Sequence, residues 1–257
     1  MSSTREFLPE RRARMYAYIR ERGAVRIDEL VDEFAVSAAT VRRDLEALED
    51  EGRIRRIHGG AVSLDSRLEE PLFDDKESIA TREKRAIAEK ALKRIERGDT
   101  LFLDGGSTVL ELARLLVDRT DITVVTNSLR AAVELSGRGP RLILTGGELR
   151  RLSQTMVGTL TRFLLDQVRV DKAFMGTMGV TLPEGMTTSD PNEAYTKELV
   201  MKRAAHVVLL VDSGKAGKIS FARSGDIRNV DVLVTDKNFP TPLKKRLEKM
   251  GIEVQDV

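Results

Sequence analysis

The sequence has no cysteine, no tryptophan and only two histidines in 257 residues. Without cysteine there can be no disulfide, iron–sulfur cluster, thiolate zinc site or thiol nucleophile. Two histidines are too few for a histidine-rich metal site, so neither a metal nor a cofactor is expected. No apolar run approaches the roughly 20 residues that span a bilayer. The stretch Met1–Glu10 lacks the apolar core of a secretion signal, so a cytoplasmic protein with no membrane partner is expected. A charge excess is missing too: 43 Lys and Arg face 41 Asp and Glu, a net of +2, and bulk charge gives no sign of a nucleic-acid partner. What remains is globular. Hydrophobic residues at 41% can build a core, charged residues at 33% give a solvated surface, and the length fits one or two domains.

The pattern divides the chain. Met15 and Ile19, with Tyr18 beside them, mark one helix over Glu10–Glu21, stopped by Gly23. Ile27, Leu30, Val31 and Phe34 mark a second. Ser37 stands at an N-cap position, and Val41, Leu45 and Leu48 at i, i+4, i+7 form the buried stripe of a third helix, ended by Gly52. Arg53–Val62 reads as a ribbon with its tip at His58-Gly59-Gly60. Residues 1–62 thus form one domain, and the polar stretch 63–80 is the expected linker. The second domain is expected over 81–257, and a helix carrying Ile79, Ile87, Ala88, Ala91 and Ile95 leads into it and ends at Gly98. Short apolar runs then alternate with helical patterns: strands at Leu101–Leu103, Ile122–Val125, Leu142–Leu144, Ala173–Met175, Val207–Val211 and Val232–Val234, with helices over Val109–Val117 and Leu129–Leu135. Continuous apolar strands with intervening helices indicate a mostly parallel α/β sheet covered on both faces.

Charge position matters more than charge total. Residues 1–62 hold twelve arginines, no lysine and twelve acids, a net of zero. Two helices joined through Val36-Ser37-Ala38 have helix-turn-helix geometry, in which the start of the second helix enters the major groove. With Val41, Leu45 and Leu48 inward, Ser37, Ala39, Thr40, Arg42 and Arg43 occupy the exposed start, where hydroxyls and guanidinium groups can bind phosphates or base edges. Glu46, Glu49, Asp50 and Glu51 fall toward the far end, while Arg53, Arg55, Arg56 and His58 make a cationic wing. Asp44 is read as a structural carboxylate that orients an arginine or bonds a backbone amide. The same spacing also fits a plain three-helix packing unit with solvated arginines. The run Ser37-Ala38-Ala39-Thr40-Val41-Arg42-Arg43-Asp44-Leu45 resembles the recognition helix of DeoR-type bacterial transcriptional regulators, and Arg56-Ile57-His58-Gly59-Gly60-Ala61 resembles their wing. Arg26 departs from that pattern, standing where the family often has a small polar cap.

In the second half, Leu101–Thr108 reads as a strand, a Gly turn and a helix start. Asp104, Gly105, Gly106, Ser107 and Thr108 can form a phosphate cradle from backbone N–H groups, hydroxyls and the helix dipole, although a plain βα turn has the same outline. It is neither a Walker A loop nor a dinucleotide fingerprint. Other polar sets follow strands: Thr126-Asn127, Gly146-Gly147, Gly176-Thr177, and Asp212 with Lys215. Ligands of open α/β sheets bind at these strand ends. Lys215 is the best single cation for a phosphate, and a solvated loop lysine is the alternative.

This half is similar to the effector domain of DeoR-type regulators, which shares its fold with sugar-phosphate isomerases. The resemblance implies that the cradle, Thr126, Asn127, Gly146, Gly147, Gly176, Asp212 and Lys215 line an effector pocket, with Thr187, Glu193 and Lys197 beside it. Two departures are Gly214, where the family usually has Ser, and Val180-Thr181 after Gly179. The resemblance implies a non-enzymatic repressor of a carbohydrate operon, working as a dimer or tetramer on double-stranded operator DNA under control of a phosphorylated sugar. An isomerase needs a carboxylate base and an enediolate stabiliser. Only Glu184 follows the glycine strand, so Asp104 and Glu193 are the remaining candidates for that alternative.

Overall fold

The computed structural model describes residues 8–22, 24–57, 59–63 and 73–257. The chain divides into two compact units, residues 1–69 and 70–257.

The first unit contains α1 (Leu8–Arg22), β1 (Ala24–Arg26), α2 (Ile27–Phe34), α3 (Ala38–Asp50), β2 (Ile54–Ile57) and β3 (Gly60–Ser63). The expected stripes meet in one core: Met15 and Ile19 of α1, Leu30 of α2, and Val41, Leu45 and Leu48 of α3, closed by Ile54. Strand β3 lies between β1 and β2, antiparallel to both. Strand β1 was not expected, because three residues are too few for alternation to register. With it, the ribbon becomes a three-stranded sheet beside the helices, a winged helix-turn-helix.

The second unit runs α4 (Phe73–Ser78), α5 (Thr81–Leu92), β4 (Thr100–Leu103), α6 (Ser107–Leu115), β5 (Thr123–Thr126), α7 (Leu129–Leu135), β6 (Arg141–Leu144), β7 (Glu148–Arg150), β8 (Thr155–Val157), α8 (Thr159–Gln167), β9 (Val170–Met175), β10 (Gly179–Thr181), β11 (Gly185–Thr188), α9 (Pro191–Arg203), β12 (Ala204–Leu210), β13 (Ala222–Gly225), β14 (Val232–Thr235), α10 (Thr241–Lys249) and β15 (Glu253–Asp256). Among the described residues, seven strands form one parallel sheet in the order β15-β14-β12-β9-β4-β5-β6. Two apolar clusters cover it, one around α5 and α6 with Phe174 and Leu210, the other around Met175, Val200, Leu209 and Leu247. This is why the strands read as continuous apolar runs. The antiparallel pieces, β7–β8 and β10–β11–β13, escape a search for such runs.

Two boundaries differ from the sequence reading. The linker expected over 63–80 is shorter at its C-terminal side: Phe73–Ser78 is helical, and Phe73 is 2% exposed in the core of the second unit. One aromatic anchor among acids outweighs the polar composition around it. Residues 64–72 lie outside the described residues. Ile79, expected on the buried face of the next helix, is 58% exposed, because α5 starts only at Thr81.

Strand order reverses between β4 and β9, since the chain goes from β4 to β5 and β6 on one side and returns to β9 on the other. Such a switch point leaves a crevice at the carboxyl ends of its strands.

Candidate functional site

The N-terminal unit presents the start of α3. Ser37 caps the helix, its Oγ accepting from the Thr40 N–H at 3.3 Å and lying 3.0 Å from Thr40 Oγ1. Ala39, Arg42 and Arg43 are exposed, and among the described residues the two arginines enter no ion pair. Asp44 is 1% exposed and accepts from Arg11 Nε at 2.7 Å and Arg12 Nε at 3.1 Å. Its structural reading holds, with partners on α1 that bolt the two helices together. The period carries the signal: position 44 adjoins the 41/45/48 stripe, and an acid on a buried face needs a cation.

The wing corrects the sequence reading. Glu49 and Glu51, expected toward the far end of the helix and mostly away from DNA, reach the cationic ribbon. Glu49 accepts from the Arg56 N–H at 2.8 Å and from Arg56 Nε at 2.6 Å, and Glu51 pairs with Arg53 at 3.1 Å. Gly52 turns the chain back on itself, so residues far along α3 meet the strand that follows. The Glu49 hydrogen bond holds the Arg56 guanidinium above its ordinary pKa. The Arg53 guanidinium also lies 5.2 Å from the Tyr16 ring centre. The Arg55 backbone belongs to β2. Its side chain, like all of His58, lies outside the described residues.

In the second unit a pocket sits at the switch point, over the ends of β4, β9 and β12. Its wall includes Asp104, Gly105, Gly106, Ser107, Thr108, Asn127, Gly176, Glu193, Lys197, Asp212 and Lys215, eleven of the expected residues. Gly106 precedes α6 with φ 146°, a conformation open to glycine. It turns the chain so that Ser107 and Thr108 start the helix at the pocket wall. The first N–H groups of a helix lack intrahelical acceptors and carry its positive dipole end. Asn127 is 2% exposed, and its Oδ1 has no hydrogen-bond partner among the described residues.

Lys197 Nζ donates to Asp104 Oδ2 and, at 3.1 Å, to the Gly176 carbonyl. Asp104 also accepts from the Gly176 N–H at 3.0 Å. Burial pushes the Asp104 carboxyl above its ordinary pKa, against the pull of Lys197. Glu193 accepts from Thr155 Oγ1 at 2.7 Å and Thr188 Oγ1 at 3.1 Å. The two carboxylates weighed as isomerase bases are thus both committed to this network. At Gly214, the departure before Lys215, a Cβ would lie 2.9 Å from Asp212 Oδ1, a contact that a shift of the Asp212 carboxylate would relieve.

Four expected pocket residues lie outside the wall. Thr126 is fully buried, its hydroxyl donating to the Leu103 carbonyl at 2.6 Å and accepting from the Ser128 N–H at 3.0 Å. Gly146 accepts from Thr161 Oγ1 at 2.6 Å, and Gly147 backs onto Thr161 and the Val157 carbonyl, so both glycines seat α8. Thr187 Oγ1 faces away, donating to the Gly179 carbonyl at 3.3 Å and accepting from the Ser220 N–H at 3.0 Å. Strand neighbours point to opposite faces, and Thr188 is the one that reaches the pocket. Sequence reasoning also missed Ser153 and Thr155, carried by the β7–β8 hairpin, and Lys76 of α4. An alternating polar strand gives a weak signal for the first two, and nothing in the polar stretch around Lys76 marks it.

Among the described residues no cluster of His, Asp and Glu could hold a metal ion, and no helix is long and apolar enough to cross a membrane. Residues 11–67 match the DeoR-like helix-turn-helix domain, and residues 79–237 match the DeoR C terminal sensor domain. The HTH-type transcriptional regulator GlpR of Haloferax volcanii is 36% identical over 247 residues, 96% of this chain and 97% of that protein. The glycerol-3-phosphate regulon repressor of Escherichia coli K12 is 34% identical over 238 residues, 92% and 94% of the two chains. Among solved structures, ribose 5-phosphate isomerase A from Methanocaldococcus jannaschii aligns at 22% identity and TM-score 0.39, covering 52% of this chain and 54% of that one.

Proposed function

The chain belongs to the DeoR family of helix-turn-helix transcriptional regulators, and from that premise we propose that it represses a carbohydrate operon under the control of a phosphorylated sugar bound in the switch-point pocket. The observation that carries this reading is the convergence at one pocket of a helix start, two hydroxyls and Lys215. A helix N-terminus with hydroxyls and a lysine suits a phosphate. The Asn127 Oδ1 without a partner suits a sugar hydroxyl, which donates a hydrogen bond. A buried acceptor left unmatched costs about 1–3 kcal/mol, so a ligand that supplies the donor recovers that cost.

The winged helix-turn-helix binds operator DNA with Ser37, Ala39, Thr40, Arg42 and Arg43 at the groove and the wing arginines along the backbone. One such module reads too few base pairs for genomic specificity, so the reading takes two or more copies acting together. The relatives named as a glycerol-3-phosphate regulon repressor and a putative aga operon repressor are consistent with a phosphorylated carbohydrate as the signal.

The test is a thermal-shift series of sugar phosphates against their unphosphorylated parents. A ligand at about 100 times its Kd adds about 2.7 kcal/mol, roughly 5–10 °C for a domain of this size. Phosphorylated members should produce the shift, and Ser107→Ala and Lys215→Ala should remove it while operator binding persists. Equal shifts from the parent sugars, or an unchanged response in both variants, would defeat the reading.

A further inference from the structure

Lys76 adds a third lysine to the pocket wall, beside Lys197 and Lys215, and it comes from an unusual place. Helix α4 has six residues, far below the dozen or so at which an isolated helix begins to hold in water. Contacts to the rest of the second unit keep it formed. Phe73 is buried, and the Arg130 guanidinium lies 5.4 Å from its ring centre and pairs with Asp74. Arg114 pairs with Glu77, and the Lys84 ammonium donates to the carbonyls of Lys76 and Ile79. Apart from Phe73 and the buried Lys84, these are ion pairs between partly exposed groups, each worth little. A ligand contact can bias such an attachment. Along the chain, α4 is the first described element after the wing, with Lys76 thirteen positions beyond Ser63.

Resting on the effector reading above, we infer that Lys76 contacts the anionic group of the effector and that this contact couples pocket occupancy to the docking of α4. A ligand shifts a two-state equilibrium only by its differential affinity for the two states. Ser107 and Thr108 open α6, which packs in the sheet's apolar core, and Lys215 lies in the turn after β12, so these three do not depend on α4. The Lys76 contact exists only while α4 is docked, so it supplies the difference. Lys84, beneath α4, is held below the ordinary lysine range first by burial; Asp212 and Glu111 pull the other way and Lys215 and Lys76 add to the lowering, so cations and carboxylates share the base of α4. Along the chain, residues 64–72 join α4 to the winged helix.

The test is hydrogen exchange on the full chain, read on peptides covering 73–80 and 105–116, with inorganic phosphate against sodium chloride at matched ionic strength. In wild type, phosphate should slow exchange in both peptides, by about fivefold or more in 73–80, the lower end of usual coupling strengths. Lys76→Met and Lys76→Gln should retain protection of 105–116 and lose it in 73–80, and Lys76→Arg should restore it. Protection of 105–116 without 73–80 in wild type overturns the coupling and leaves the effector reading intact. So does unchanged protection of 73–80 in either neutral variant. If phosphate protects neither peptide, the anion contact is wrong, and the sugar-phosphate thermal shifts decide separately whether the effector reading survives.

Discussion

At the scale of single residues, buried charge separates structural groups from those available for binding. Asp44 sits on the inner face of α3 between Arg11 and Arg12, with side-chain exposures of 2%, 14% and 30%. Removing it takes the Asp44 carboxylate away from two partly buried cations. Breaking a fully buried pair costs about 3–5 kcal/mol, and the partial exposure of both arginines lowers this, so Asp44→Ala should destabilise the N-terminal unit by about 2–4 kcal/mol. Two of the three tyrosines, Tyr16 and Tyr18, lie in that unit, so tyrosine emission in a denaturant titration reports it. A change below about 0.5 kcal/mol would mean the arginines find other partners. Lys84 gives a prediction of opposite character. Its folded-state pKa is lowered, chiefly by burial, so the fold favours its neutral form. The stability this group contributes is present above its unfolded pKa and is lost as pH falls through its folded pKa. As pH rises from neutrality toward the ordinary lysine range, wild type should gain stability relative to Lys84→Met. Denaturant midpoints of the two proteins measured in parallel check the sign, and a constant difference across that range would refute it.

At the scale of elements, the wing and the pocket differ in how much of them could be read in advance. Helix α3 was legible in its cap, its buried stripe and its exposed start, because each is a local rule about 3.6-residue spacing. The central parallel strands were legible because both faces are buried, whereas the partly exposed edge strand β15 was not read. The β7–β8 hairpin, the β10–β11–β13 sheet and α4 were not. Their residues are chosen for contacts distant in sequence: Thr155 for Glu193, Arg130 for Asp74. The same limit explains Thr187 and Thr188, adjacent and identical in type, of which only strand register decides which one faces the pocket. The Gly59-Gly60 pair shows how one legible feature held two meanings. Gly59 turns the ribbon at φ 82°, as a hairpin tip requires. Gly60 has no such dihedral demand, but a Cβ on it would stand 2.2 Å from the Val25 carbonyl oxygen, across the β1–β3 pairing. Gly60→Ala should therefore push the wing off β1 at a cost of about 1–3 kcal/mol, the usual range for overpacking. The α3 core would remain. Backbone amide shifts should then move across β1, β2 and β3 and stay put in α3, and unmoved β1 shifts would count against the contact.

At the scale of the whole molecule, the near-zero net charge has a consequence for DNA. Non-specific affinity comes mainly from counterions released as cations meet phosphates, with a log–log salt slope of about −0.9 per phosphate neutralised on duplex DNA. Residues 1–62 hold equal numbers of acids and arginines, and two acids lie directly on the wing: Glu49 holds Arg56 and Glu51 holds Arg53. A paired arginine must leave its carboxylate before it can neutralise a phosphate. The exposed Arg42 and Arg43, which enter no ion pair among the described residues, should therefore contribute more to the slope than the wing does. Glu49→Gln tests this because it removes the charge that restrains Arg56 while leaving a side chain of the same shape over the β2 backbone. It should tighten binding to random duplex DNA and steepen the salt slope by about one unit, the contribution of one added phosphate contact. The effect on operator binding should be similar in size, since a backbone contact adds equally to every sequence, so the ratio of specific to random affinity should hold. Arg42→Ala should instead weaken operator binding by about 1–3 kcal/mol if it pairs with a base, with a smaller loss on random DNA. Fluorescence anisotropy titrations of both variants across a salt series separate the two effects. A Glu49→Gln slope equal to that of wild type would place Arg56 away from the phosphates and leave the wing a structural ribbon.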